Sequence, residues 1–367
     1  MLLLALETSC DETAAAVVRD GTHVLSNVIA SQYDLHAEYA GVVPELASRA
    51  HVEAVLPTIR EALAQAGIGL GMIDAVAVGN RPGLIGSLLV GVAAAKSLAW
   101  SLGKPLVGVD HVRAHLYSGM LNAPDNGDVR PPLPGHSGAE GGAFPALGLV
   151  VSGGHTAMYE VRSWTDITRL GATIDDAMGE AYDKVAAMMS LPHPGGPNVD
   201  RLARTPGADE RVFDLPISRL SPTSLDFSFS GLKTSVLYAI RGVPERAGRE
   251  KHDAAHAPTT PDQFPSLAAS FQRATCAAVT LKLQRAVDQS RERGVTYRTL
   301  LTGGGVTANS RLRTDLAAFA QKNALSLRLP ALAYCMDNAA MIGGLAEHLL
   351  RAGQTSTWDL QAVPTTA

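Results

Sequence analysis

The sequence predicts an α/β protein of two lobes built on a repeated plan, and three observations predict it. At 367 residues the chain is too long for one small core and suits two domains of ordinary size. Three short strand-like runs open it, and a similar order of elements returns in its second half. Many of its 35 glycines cluster just after β-branched runs, where a backbone turns or lets a ligand approach closely.

The opening runs "LLLALETS" (2–9), "TAAAVVRD" (13–20) and "HVLSNVIAS" (23–31) read as strands joined by turn-forming residues, a β-meander. Residues 44–67 carry helical periodicity, with Gly67 as the stop. Residues 73–103 then run strand, Gly-containing loop, helix, the order of an α/β unit whose loop faces a ligand. In the second half, 144–164 reads as two strands joined at "SGGH", 175–189 as a helix, 274–294 as a helix, and 298–304 as a strand before a further helix. The Pro- and Gly-dense stretch 122–143 separates the halves as a linker or insertion, and its His136 is expected to be idle in solvent. The loop 252–265, with His252 and His256, has the same character.

Composition narrows the function. The residues are 46% apolar and 18% charged, as in a soluble α/β protein, and the net charge of −4 excludes an autonomous polyanion binder. The basic segments 241–251 and 290–294 are interspersed with glutamates and read as solvated surface. Cys10, Cys276 and Cys335 form no paired framework, which points to a reducing compartment. The N-terminus lacks a basic n-region, and the longest apolar run, 84–95, stops at Lys96, short of the roughly 20 residues of a membrane helix. A cytoplasmic protein with no membrane contact is expected.

Chemistry gathers at five places. "DHVRAH" (110–115) sets His111 and His115 four positions apart, one above the other on a helix face, which is half a metal site. Asp337 in "CMDNAAMIGG" is the candidate third ligand, although an Asp there also suits an ordinary helix N-cap. "ETSCDET" (7–13) puts three acids at the first hairpin tip, which in duplicated meander folds points into the cleft between the lobes. "VSGGH" (151–155), at the matching turn of the second half, offers Ser152, two amides and His155 as neutral and cationic donors, while "GGGVTAN" (303–309) aims backbone N–H groups at an anion. A zinc protease of the HExxH type is discarded, because Val112 stands where the general base must be.

Taken together, "ETSCDET", "HAEYAGVVPELASRAH", "PGLIGSLLVG", "HVRAH", "LVVSGGHT", "IDDAMGEAYDKVA", "FSFSGLKT", "GGGVTANSRLR" and "MDNAAMI" resemble one family, in order from residue 1 to about residue 350. It is the tRNA N6-adenosine threonylcarbamoyltransferase family, TsaD in bacteria. The resemblance implies the duplicated actin/sugar kinase/Hsp70-like (ASKHA) fold. The first lobe is expected over 1–121, with a helix at about 337–352 packing back on it, the second over 144–336, and a tail over 353–367.

The resemblance further implies that threonylcarbamoyl passes from threonylcarbamoyl-AMP to the N6 amine of the adenosine next to the anticodon, releasing AMP. His111, His115 and Asp337 would hold a divalent metal, iron(II) or zinc. Val151, Ser152, Gly153, Gly154, His155, Asp183, Gly196 and Asn309 would bind the adenylate. Asp11 and Glu12 are the candidates for removing the amine's proton. The implied partners are tRNA, an inactive paralogue of the same fold (TsaB-type) and a small P-loop ATPase (TsaE-type). Three positions depart from the family pattern: Arg81 in place of Gly, Arg113 in place of Glu, and Met336 in place of Thr. Arg113 is expected to bring positive charge beside the metal and weaken its binding. Two other readings compete: a small-molecule kinase or ATPase of the same fold, and a non-catalytic scaffold.

Overall fold

The structure, a computed structural model, describes residues 1–37, 39, 41–122, 143–242 and 258–365. The stretch 123–142 with His136, the segment 243–251, and His252 and His256 lie outside the described residues.

The first sheet holds β1 (Leu2–Glu7), β2 (Glu12–Arg19), β3 (His23–Ser31), β4 (Ala75–Arg81) and β5 (Leu106–Asp110), in the order β3-β2-β1-β4-β5. Helices α1 (Tyr33–Ala37) and α2 (Pro44–Ala66) precede β4, α3 (Ile85–Leu102) precedes β5, and α4 (His111–Tyr117) leaves β5 directly. The second sheet holds β6 (Ala146–Val151), β7 (Thr156–Ser163), β8 (Asp166–Ala172), β9 (Thr299–Gly303) and β10 (Ser326–Arg328), in the order β8-β7-β6-β9-β10. Between β8 and β9 run α5 (Met178–Met188), α6 (Gly195–Ala203), α7 (Ser230–Arg241) and α8 (Phe264–Glu292). Helix α9 (Ser310–Lys322) joins β9 to β10, and α10 (Ala339–Arg351) follows β10. Both sheets repeat one plan: an antiparallel meander extended by two parallel strands through helical crossovers. The repeat read from the sequence is therefore a repeat in space.

The two-residue period of β1 explains how the core divides. Leu3 and Ala5 face one apolar cluster, shared with α4, α10 and the second sheet, while Leu4 and Leu6 face another, under α2 and α3. Both faces are covered, so the strand is almost continuously apolar. Each fully buried leucine contributes about 1.5–3 kcal/mol over an exposed one. Strand β6 divides likewise, with Ala146 and Val150 on the shared side and Leu147, Leu149 and Val151 on the outer one. Helix α4 consequently sits at the seam between the two sheets.

Sequence cues mark several boundaries correctly. Pro44 opens α2 and Gly67, at φ 66°, closes it in the left-handed conformation. Two helices differ from expectation. Helix α8 starts ten residues before Ala274, because Thr260 and Gln263 form a reciprocal cap and Pro265 fits the first turn. Helix α5 starts at Met178, after Asp175 and Asp176. Asp175 instead accepts hydrogen bonds from Ser228, Ser230 and the Phe229 amide, capping α7, and Asp176 pairs with Lys184 and Lys233.

Helix α3 is, among the described residues, the one helix long and apolar enough to cross a membrane. It packs Val92, Ala95 and Ala99 into the cluster beneath the first sheet and buries Leu88, while Ile85, Leu89 and Trp100 stay exposed. The segment after α10 also finds a place. Ser356 pairs with Leu106, its Oγ accepts from the Gly108 amide at 2.9 Å, and Asn80 Nδ2 donates to the Gln361 carbonyl at 2.9 Å. The edge of β5 is thereby covered.

Candidate metal centre

Strand β5 ends at Asp110, whose carboxylate accepts from the Arg113 amide at 3.0 Å and so starts α4. One turn apart on that helix, His111 and His115 lie on the same face, with ring centroids 4.7 Å apart. Asp337 reaches them from the loop before α10. Its Oδ1 is 3.1 Å from His115 Nε2 and 3.5 Å from His111 Nε2. One ligand atom from each of the three lies within 4.8 Å of the others, and all three are buried or nearly so. The N-cap of α10 is Asn338, which accepts from the Met341 amide at 3.0 Å. The cap role that competed for Asp337 therefore belongs to its neighbour, and the Asp337 carboxylate is free to serve the histidines.

The other nitrogen of His111 carries a feature that the sequence reading missed. Glu7, fully buried at the end of β1, places Oε2 3.0 Å from His111 Nδ1, and Ser9 Oγ stands 3.2 Å from the same atom. The Ser9 amide donates to Glu7 Oε1 at 2.5 Å and fixes the carboxylate. A carboxylate on the far nitrogen is the arrangement that orients a metal-binding histidine and raises its basicity. Two glycines make the fit possible. A Cβ on Gly79 would fall 2.4 Å from Glu7 Oε2, and one on Gly303 would fall 1.9 Å from the His115 carbonyl oxygen. By contrast His115 Nδ1 is buried with no hydrogen-bond partner among the described residues.

Charges follow from these distances. Burial would depress His111, but the carboxylates of Glu7 and Asp337 outweigh it and hold the imidazole well above its usual range. Burial would raise Asp337, and the two histidines instead hold it well below the usual carboxylate range. Burial lowers His115, with only partial relief from Asp337. A cation of charge two would take the place of the His111 proton between two imidazole nitrogens and one carboxylate oxygen, so the donor set fits a divalent transition metal.

The two hairpin tips close on this cluster. Between β1 and β2, burial first and then the charges of Asp337 and Asp11 push the Glu12 carboxyl up to about 9, and it hydrogen-bonds Asp11. Burial raises the Cys10 thiol strongly, which keeps it protonated and unreactive. Between β6 and β7, the His155 amide donates to Ser152 Oγ at 3.0 Å, the Ser152 amide donates to the His155 carbonyl at 2.7 Å, and Gly153 and Gly154 are exposed. Burial, then His111 and His115, push His155 down to about 4. This corrects one expectation: His155 is a neutral group and not a cationic donor, because burial, and then the two neighbouring imidazoles, disfavour its charge.

The remaining expected contacts lie in the second lobe. Asp183 on α5 accepts from the Gly195 amide at 2.8 Å and positions the start of α6, where Gly196 sits. Asn309 caps α9 by accepting from the Leu312 amide at 3.0 Å and donates to Gln272. A Cβ on Gly304, at φ 92°, would fall 2.4 Å from the Val151 carbonyl, so the 303–305 turn lies flat against the end of β6. Arg113 does not behave as expected. Two positions from either histidine on α4, it points about 160° away from each and lines a cavity with Arg81 on the helix's other face. It therefore places no charge among the metal ligands.

Comparison with known proteins agrees with this geometry. The family model for TsaD, tRNA N6-adenosine threonylcarbamoyltransferase, matches residues 23–344. The chain is 45% identical over 364 residues to the tRNA N6-adenosine threonylcarbamoyltransferase of Geobacter sp. strain M21, covering 99% of this chain and 96% of that one. It is 46% identical over 363 residues to the protein of the same name from Symbiobacterium thermophilum, with the same two coverages. Among solved structures, T. kodakarensis HypF matches 98% of this chain and 48% of its own, with TM-score 0.57 and 16% identity. Component A of the Acidaminococcus fermentans (R)-2-hydroxyglutaryl-CoA dehydratase matches 95% and 97%, with TM-score 0.50 and 11% identity. These structures bear on the fold alone, which is the duplicated actin/sugar kinase/Hsp70-like one. The sequence relatives go further: the chain belongs to the tRNA N6-adenosine threonylcarbamoyltransferase family of tRNA-modifying acyltransferases.

Proposed function

We propose that the protein transfers threonylcarbamoyl from threonylcarbamoyl-AMP to the N6 amine of the adenosine beside the anticodon, in tRNAs that read codons beginning with A. The observation that carries this reading is the His111, His115 and Asp337 cluster facing an acidic hairpin tip on one side and a glycine-rich tip on the other. An adenine amine is a weak nucleophile, so positioning and charge stabilisation must supply most of the rate.

His111, His115 and Asp337 would hold the cation, iron(II) or zinc, with Glu7 orienting His111. When bound, the cation supplies Lewis acidity for a donor oxygen and offsets phosphate charge. The amides of the Val151, Ser152, Gly153, Gly154 and His155 turn receive the donor's phosphate or carbamoyl oxygen. Asp183 keeps one carboxylate oxygen on the Gly195 amide and offers the other to a ribose hydroxyl, with Gly196 and Asn309 lining the adenosine side. As the N6–carbon bond forms and the carbon–oxygen bond to AMP breaks, Asp11 takes the amine proton. Its hydrogen-bonded neighbour Glu12 holds a proton at rest and so is the donor of the pair.

The lobes in this reading are 1–121 and 144–336, with α10 returning to the first. The protein acts in the cytoplasm with tRNA, a TsaB-type paralogue of the same fold and a TsaE-type P-loop ATPase. The test is transfer from synthetic threonylcarbamoyl-AMP to unmodified tRNA by metal-loaded protein with its partners, read by mass spectrometry of digested nucleosides. Threonylcarbamoyladenosine with the wild type and none with His111→Ala is the expected result. Phosphate release from ATP by the isolated chain, with no modified nucleoside, would favour the kinase reading instead.

A further inference from the structure

We propose that a second site, behind α4 and distinct from the metal cluster, binds a small phosphate-type oxyanion between Arg81 and Arg113. A cavity of about 240 Å³ opens there, lined among others by Asn80, Arg81, Asp110, Arg113, Trp164 and Ser356. Arg81 ends β4 and Arg113 stands in the middle of α4, so a strand of the first sheet and the helix that follows β5 each bring one arginine to the lining of the same space. The turn after β7 contributes Trp164 and Thr165, and the segment after α10 closes a further wall.

The charges are what point to a ligand. Neither guanidinium makes an ion pair or a side-chain hydrogen bond among the described residues, whereas Arg162, Arg293, Arg311 and Arg351 all pair with carboxylates. The cavity's single acid, Asp110, spends one oxygen on the Arg113 backbone amide. Two cations and one anion line a recess walled in part by the buried Trp164 ring, which leaves an excess of positive charge for an anion to answer. The planar fork of arginine matches an oxyanion better than it matches water, with two parallel donors each. Size selects the class. The volume falls below the roughly 300–1,000 Å³ of pockets that enclose drug-sized ligands, and it suits phosphate itself or the phosphate end of a small metabolite.

The test uses the full-length, metal-free chain, with inorganic phosphate and glycerol phosphate as probes, in calorimetric titrations at constant ionic strength. One equivalent of phosphate is expected to bind to wild type and equally to Asp337→Asn. Arg81→Gln and Arg113→Gln should each weaken it at least tenfold while circular dichroism and the melting temperature in chloride stay unchanged. Tighter binding of glycerol phosphate than of inorganic phosphate would assign the site to a metabolite, and the reverse order to the free ion. Either supports the proposal. Phosphate binding that survives both arginine changes, or that disappears in Asp337→Asn, would overturn it. So would a wild type that binds neither probe but loses tRNA affinity and salt dependence in Arg113→Gln, since the pair would then contact nucleic-acid backbone.

Discussion

The two hairpin tips occupy equivalent places in a duplicated fold and carry opposite chemistry. The β1–β2 tip holds Glu7, Asp11 and Glu12, with Glu7 fully buried against His111. The β6–β7 tip holds Ser152, Gly153, Gly154 and a neutral His155, with its two glycines exposed. Equal strand order explains why both tips meet the same cluster. It does not explain what they do there. One tip supplies negative charge that organises a cation, and the other supplies amides and open space for an anionic donor, so duplication set the geometry and the residues at the turns set the roles.

The acidic tip should be the more fragile of the two. Glu7→Gln keeps the shape but removes the charge that raises His111 and fixes its ring, and about 10- to 100-fold weaker metal binding is expected, with transfer falling in step. Metal stoichiometry after dialysis against a chelator, alongside transfer rates, checks it. The same substitution should also leave the thermal stability of the metal-free protein less dependent on pH.

That dependence has a definite sign. His111 and Glu12 both have folded pKa values raised above their unfolded ones, His111 well above its usual range and Glu12 to about 9. The native state therefore holds more protons than the unfolded state above about pH 6.5, and stability falls as pH rises. Metal affinity must move the other way, because binding expels the His111 proton. Melting curves of metal-free protein from pH 6.5 to 9.5 should decline, while metal affinity over the same range should climb. Parallel rises would mean that His111 is not the proton carrier.

The glycine-rich tip should respond in kinetics rather than stability. A Cβ at Gly153 or Gly154 meets nothing within 4 Å, and neither has positive φ, so alanine is accommodated in the free protein. Several-fold higher KM for threonylcarbamoyl-AMP, with a melting temperature unchanged to within about a degree, is expected of Gly154→Ala. An unchanged KM would remove this turn from the donor site.

The contrast between the tips also marks what the sequence could reveal. The opening strand-like runs, the Gly67 stop and the i, i+4 histidines are local signals, and all three appear in the structure where the sequence puts them. Asp337 is 222 residues from His115, so the sequence could offer it only as a candidate ligand with a rival role as helix cap, and the fold is what brings it to the histidines. Glu7 was hidden among three acids at one turn, and proton-transfer roles were given to its neighbours. Its signal was register: as the third member of the Leu3, Ala5, Glu7 face it points to the shared core, where a carboxylate needs a partner. Arg113 misled for the complementary reason, since closeness in sequence to both histidines is no closeness on a helix.

The smallest effect separates ligand from cap at the edge of the cluster. Asn338 takes up the Met341 amide at the start of α10, and Asp337 is left to the histidines. Asn338→Ala should cost about 1 kcal/mol of stability, as loss of an N-cap does elsewhere. Metal stoichiometry should hold, because no ligand is touched. Asp337→Asn should do the reverse, losing the metal while α10 keeps its cap. A metal-free Asn338→Ala protein of wild-type stability would mean that the two neighbours share both tasks, and the division of labour between adjacent residues at 337 and 338 would fail.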